Sequence, residues 1–405
     1  MLNINQANQT AIGRMMNARP IMKPFRRLIF LCLLLAGCGA DDFTDDSPLA
    51  RVENAVESGS QIAAFDKFVA QTVREDGIVG AAVAIVSSDE IWFAEGYGMR
   101  DLEADLPASA NTLFHIGSTN KSLTALLIAT MVDDELLSWD TTAATIYPQF
   151  ALSDPASTDT VTMRHLLSMR SGIPDWIEDD FDIDNTTGDD VIPFVASTEL
   201  DGEPGDYFSY SNISSSIGGY LGVIAATDSA ENVYDGYASL LTERVLQPIG
   251  MTNSVVNVSD ALDDRNYGKS YVLEGGDPVE ADPEDYDGDP LAPSGTVKSS
   301  ATEMGMYIQT HLNEGVAPNG TRVVSAENIT ETWKPYLENY GMGWEAAMID
   351  GVEVIMHEGS YDNYLSIIGF IPELDIGFVV LANTADAADN LITNTPSTVV
   401  ELFAE

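Results

Sequence analysis

The chain has 405 residues, long enough for one large or two modest domains, and 45% of them are hydrophobic, so a sizeable core is available and wholesale disorder is excluded. Lys and Arg total 18 against 64 Asp and Glu, a formal charge of −46, which repels phosphate backbones and argues against nucleic-acid binding. Dense carboxylates hold hydration and concentrated salt screens their repulsion, so the balance suits a saline medium.

In chain order, the first 37 residues hold no acid and five basic residues (Arg14, Arg19, Lys23, Arg26, Arg27), followed by the apolar run Leu28 to Leu35. A charged segment before an apolar one too short for a membrane span reads as an export signal. It closes on Leu35-Ala36-Gly37-Cys38, which resembles the bacterial lipoprotein signal. That resemblance implies cleavage before Cys38, lipidation of Cys38, and a cell-envelope protein held to its membrane through that lipid alone. An uncleaved anchor and ordinary secretory cleavage are the alternatives. The other cysteine, Cys32, lies in the apolar run, so the mature chain has no pair to bridge. Residues 38–60 are polar and acid-rich and read as a flexible tether, leaving 61–405 as the folded domain.

Ile62, Phe65, Phe68, Val69 and Val73 have the spacing of an amphipathic helix over 61–75. Gly80 to Val86 is an apolar strand, Ser87 to Glu90 its turn, and Ile91 onward the antiparallel partner. A helix starts near Ser118, with Leu123, Leu126, Leu127, Thr130 and Met131 on its inward face. Val161 to Met169 fits a capped helix, and Leu240 to Leu246 a short one. Two acidic loops, Asp175 to Asp190 and Glu274 to Asp289, each hold eight acids in sixteen residues. Asp285-Tyr286-Asp287-Gly288-Asp289 has carboxylates spaced as for calcium, but no bidentate Glu follows, so a solvated loop is the reading and no metal or cofactor is expected. Gly341 to Trp344, Val352 to His357, Tyr364 to Phe370 and Ile376 to Leu381 read as strands. Strands at both ends and helices between predict an α+β fold: one antiparallel sheet from about 61–115 and 290–405, flanked by helices, with a mostly helical region at 116–289.

Ser118 and Lys121 carry the first chemistry. Three residues apart on a helix, they share one face. A buried Lys is pushed toward the free amine and can take a proton from a hydroxyl, so the pair is a nucleophile with its base. Unpaired N–H groups of the first helical turn lie beside them as an anion site. Tyr210 and Asn212 open a later helix with Ile217, Tyr220 and Leu221. A Tyr whose pKa falls beside an ammonium relays protons, and an Asn holds a Lys or a substrate carbonyl. His357-Glu358-Gly359-Ser360 lies on or just after a strand, where Gly359 admits a substrate backbone to the edge.

Ser118-Thr119-Asn120-Lys121, Tyr210-Ser211-Asn212 and His357-Glu358-Gly359, in that order, resemble the serine β-lactamase and penicillin-binding protein superfamily. The Tyr-x-Asn form is similar to its class C β-lactamase, D,D-peptidase and esterase branch. Met163 to Gly172, Gln247 to Met251 and Gly295 to Ser299 look like that branch too, and the resemblance covers about residues 62–400. It implies that Ser118 attacks an acyl carbon while Lys121 and Tyr210 move its proton. Asn212 then holds Lys121 and the substrate amide, and the N–H groups of Ser118 and Ser360 form an oxyanion hole. The resemblance thus implies an exported serine hydrolase, acting on a small ester, amide or peptide without a cofactor and expected as a monomer. A D-alanyl-D-alanine carboxypeptidase or class C-like β-lactamase is the alternative.

Departures from the family pattern bear on the substrate. The third motif begins with His357 where β-lactamases usually have Lys. If the Glu358 side chain faces the cleft it repels a substrate carboxylate, so weak turnover of nitrocefin is expected. Asn363 stands where a Gly is expected, and Trp176 is a candidate for the pocket lining. A Ser-His-Asp hydrolase using His357 lacks its Gly-x-Ser-x-Gly turn, and His115, His165, His311 and His357 lack metal-ligand spacing. A non-catalytic envelope-binding protein on the same fold is the reading from another class.

Overall fold

Seven small or β-branched residues without a charge, Gly80–Val86, make a strand buried on both faces, β1, at the centre of the molecule's main sheet. The structure, a computed structural model, describes residues 48–404 apart from 264–265 and 282–286, and no side chain before residue 59 or at 263. The signal-like segment, Cys32, Cys38, residues 38–47 of the tether and part of the calcium-like segment lie outside the described residues. Contacts divide the chain into Met1–Arg51 and Val52–Glu405, and the main sheet and the Ser118 cluster both belong to the second unit.

The sheet also holds β2 (Ile91–Asp101), β3 (Leu106–Pro107), β4 (Glu345–Ile349), β5 (Val352–Tyr361), β6 (Tyr364–Ile371) and β7 (Ile376–Ala382). Their order is β3-β2-β1-β7-β6-β5-β4, antiparallel throughout. Strands from both ends of the domain thus meet at β1 and β7, as the α+β reading expects. The helix expected over 61–75 is longer: α1 runs Pro48–Asp76 and enters the stretch read as a tether. Two readings need correction. Gly341 to Trp344 is a loop before β4, and the short helix at 240–246 is a π-helical turn, Thr242–Leu246, continuing the helix Val233–Leu241.

One face of the sheet buries Val83, Ile85, Val354, Met356 and Ile367 against Phe65 and Val69 of α1 and Leu391 and Val399 of the C-terminal helix Ala385–Phe403. The other packs Ala84, Ile355 and Ile368 with the helical region. At the middle of that region lies α2, Asn120–Asp133. One inward face was expected, but every side chain from Asn120 to Met131 is buried, as befits a helix surrounded by protein. From Thr112 to Met131, Ser118 is the one residue that is not buried.

Candidate active site

Ser118 sits on a 3-10 turn, Gly117–Thr119, that feeds α2. Gly117 has φ +50°, and a Cβ there would come within 2.6 Å of the Ser360 backbone, so glycine permits this approach of turn to strand. Gly359 is needed for the same reason: its Cβ would lie 2.2 Å from the Ile116 carbonyl. That glycine admits the protein's own serine turn. Ser366 donates to the Ile116 carbonyl at 2.7 Å and Thr119 at 2.8 Å, fixing the turn.

Lys121 reaches back along α2 with 1% of its surface exposed. Its Nζ lies 3.0 Å from the Ser118 hydroxyl, 2.6 Å from Asn212 Oδ1 and 3.0 Å from the Ser294 carbonyl. Burial pushes its pKa down to about 7, against the pull of the Glu178 carboxylate. Near neutrality a large share is therefore free amine, whose lone pair can accept the Ser118 proton. The segment supplying Ser294 is tied to α2 by two further bonds, Asn120 to the Ala292 carbonyl at 2.7 Å and Thr124 to Pro293 at 2.6 Å.

Tyr210 closes the cluster. Lys121 Nζ lies 4.8 Å from its ring centroid, and its phenol shares a hydrogen bond with Ser118. The expected fall in its pKa does not occur. Burial pushes the phenol above its ordinary value, only partly offset by the Ser118 bond, so it is a neutral donor rather than a phenolate. Asn212 opens α3 (Asn212–Thr227), whose cap Ser211 accepts from Ser214 N at 3.2 Å. The residues after it, from Ile213 to Ile224, are all buried, whereas Asn212 stays partly open to solvent.

His357 is buried on β5, its Nε2 2.9 Å from the Tyr340 hydroxyl and its ring 6.1 Å from that of Tyr210. Burial, reinforced by the Lys121 charge, pushes its pKa down to about 3. It is a neutral imidazole paired with Tyr340, not a base for Ser118 and not a cation. Strand alternation places Glu358 on the other face: His357 pairs with Ile368 toward the site, Glu358 with Ile367 toward the C-terminal helix. Burial there, with Glu345 and Asp389 nearby, pushes its carboxyl up to about 7. The repulsion expected of Glu358 in the cleft therefore has no basis. Asn363 sits in the turn joining β5 to β6, its carbonyl accepting from Ala385, and Trp176 is 48% exposed on the first acidic loop.

Three participants escaped the sequence reading. Ser294 contributes only a carbonyl, and Tyr340 precedes a segment misread as a strand. Glu178 lies among eight loop acids, yet its carboxylate accepts from Asn212 N at 2.7 Å and Asn212 Nδ2 at 2.9 Å. Among the described residues no group of three or more His, Cys, Asp or Glu could hold a metal ion. A separate cavity of about 340 Å3 opens by Thr130, Asp133, Arg244 and Arg322 at the far end of α2, away from Ser118.

Known proteins resemble this chain over most of its length. Protein flp of Staphylococcus aureus (strain N315) is 27% identical over 322 residues, covering 79% of this chain and 62% of that protein. Unguisins hydrolase ungD' of Aspergillus campestris is 26% identical over 341 residues, covering 79% and 61%. The chain thus spans about three fifths of the length of these relatives. The octameric penicillin-binding protein homologue from Pyrococcus abyssi superposes with a TM-score of 0.70 at 25% identity, over 84% of this chain and 77% of that one. The family model for Beta-lactamase matches residues 65–398, from α1 to the C-terminal helix and across all three motifs. The chain belongs to the Beta-lactamase family.

Proposed function

We propose that the protein is a serine hydrolase that cleaves a small ester, amide or peptide through an acyl group carried on Ser118. The observation that carries this reading is the Ser118 hydroxyl 3.0 Å from the amine of a buried Lys121. The Ser118 proton passes to Lys121 Nζ as Oγ bonds to the acyl carbon, and the carbonyl π electrons move onto oxygen. Backbone N–H groups of Ser118 and Ser360, on a turn and a strand whose close approach Gly117 permits, receive that charge, an effect worth about 3 kcal/mol per donor. The tetrahedral centre collapses, and the leaving oxygen or nitrogen takes a proton from Lys121 through Tyr210. Water then attacks the acyl carbon, losing its proton to the same pair, and Ser118 departs with its hydroxyl restored.

A neutral His357 at the third motif offers hydrogen bonding rather than positive charge, which favours a neutral group beside the scissile bond over a free carboxylate. A relative named as a hydrolase supports the reaction class. Export and lipid attachment at Cys38 belong to the same proposal and rest on the sequence of residues 14–38 alone. The test is hydrolysis of p-nitrophenyl butyrate by the wild type and Ser118→Ala. Loss of about a thousandfold or more in kcat/KM is expected, and equal rates would overturn the reading.

A further inference from the structure

Glu178 is a charged side chain outside the three motifs, and its place is built rather than incidental. It lies on a 3-10 turn, Trp176–Asp180, that interrupts the first acidic loop. Apolar neighbours pin that turn on both sides: Ile177 is 2% exposed, and Phe181, 7% exposed, stacks edge-on against Phe194 at 4.9 Å. Between these anchors the carboxylate is aimed at the first residue of α3. One oxygen accepts from the Asn212 backbone N–H, which has no partner within its own helix, and the other from the Asn212 side chain.

A side-chain amide can present either its oxygen or its nitrogen to a neighbour. A carboxylate accepts only, so Glu178 forces the Asn212 NH2 toward itself and the oxygen toward Lys121. The chain Ser118, Lys121, Asn212, Glu178 is continuous at 3.0, 2.6 and 2.9 Å. We propose that Glu178 is a positioning residue for acyl transfer, orienting Asn212 as the acceptor for Lys121 and placing behind it the negative charge that keeps the amine basic enough to take the Ser118 proton. This rests on the proposed hydrolysis at Ser118 and deepens it.

The electrostatics around Lys121 are consistent with that role. The groups facing it are Ser118 and the Ser294 carbonyl, Tyr210, Asn212, His357 and Glu178. Burial and the phenol offer no counter-charge, His357 is neutral, and Glu178 is the one that pulls the Lys121 pKa upward. Burial raises the Glu178 carboxyl itself, with Asp175 adding to the rise, while the two Asn212 donors and Lys121 hold it down. Removing its charge leaves burial unopposed, so Lys121 becomes a weaker base that sheds its proton at lower pH.

The experiment compares the wild type with Glu178→Gln and Glu178→Asp on p-nitrophenyl butyrate across pH, beside a 15N NMR titration of the lysine side chains. With six lysines in the chain, Lys121 is assigned by its loss in Lys121→Arg. Glu178→Gln is expected to lose about 10- to 100-fold in kcat/KM, and both its acidic limb and its Lys121 titration are expected to move to lower pH. Glu178→Asp keeps the charge on a shorter arm, so its Lys121 titration stays closer to the wild type although its rate falls. Melting curves of each variant separate these effects from unfolding. A Lys121 titration in Glu178→Gln that coincides with the wild type, or moves upward, overturns the inference even if hydrolysis at Ser118 holds. A Lys121 titration that moves as expected in a protein without Ser118-dependent hydrolysis instead overturns the proposed reaction, and with it the role given to Glu178.

Discussion

Lys121 is a cation-forming group with almost no water around it, and its neighbours decide what it can do. Burial lowers its pKa to about 7 while Glu178 opposes the fall, and the Tyr210 ring covers one side. A base must be unprotonated to accept, so kcat/KM for an ester is expected to rise with pH through about 7 and then level. The Tyr210 phenol, held above its ordinary value, adds no early fall on the alkaline side. A pH–rate profile measures this, and a rate falling as pH rises through neutrality would contradict it. The Ser118 and Lys121 pairing was legible in the sequence because it is local, three residues apart at a helix start. Tyr210 and His357 were legible only through the order of motifs. Nothing local marks Glu178, since its role depends on how Ile177 and Phe181 turn one acid of eight toward a helix about thirty residues on.

At the scale of elements, the serine turn and strand β5 depend on each other through two glycines. Gly359 faces the Ile116 carbonyl, and a Cβ would lie 2.2 Å from that oxygen and 2.3 Å from Ser366 Oγ. Gly359→Ala must push the serine turn off the sheet or break the Ser366 bond to Ile116. It is expected to cost about 1–3 kcal/mol of stability and, by shifting Ser118, about 100-fold in kcat/KM. Thermal melting and ester kinetics read the two effects, and wild-type kinetics in this variant would contradict the coupling. Central strands showed in the sequence because runs such as 80–86 and 376–382 are apolar without break. The helix Ala385–Phe403 escaped because Thr residues and Pro396 obscure the spacing of Ala388, Leu391, Ile392 and Val399. The face taken by Glu358 stayed open until the β5–β6 register fixed it.

For the whole molecule, an antiparallel sheet joined from both chain ends holds a central helix buried from Asn120 to Met131, with the partly open Ser118 on the turn that feeds it. A match to the Beta-lactamase family over residues 65–398 fits that architecture. Its formal charge of −46 spreads over a surface whose acids mostly lack basic partners in number, 18 Lys and Arg against 64 Asp and Glu. Composition alone exposed this feature, and no fold argument depends on it. What composition could not reveal is that one of those acids turns inward to the site. The central claim is that Ser118 carries the acyl group. The measurement is an acid quench during turnover of p-nitrophenyl acetate, followed by mass mapping of peptides from the wild type and Ser118→Ala. One acetyl group on the peptide containing Ser118, absent from the variant, is the expected result. An unmodified Ser118 peptide during active hydrolysis, or an acetyl group equally present in the variant, would contradict it.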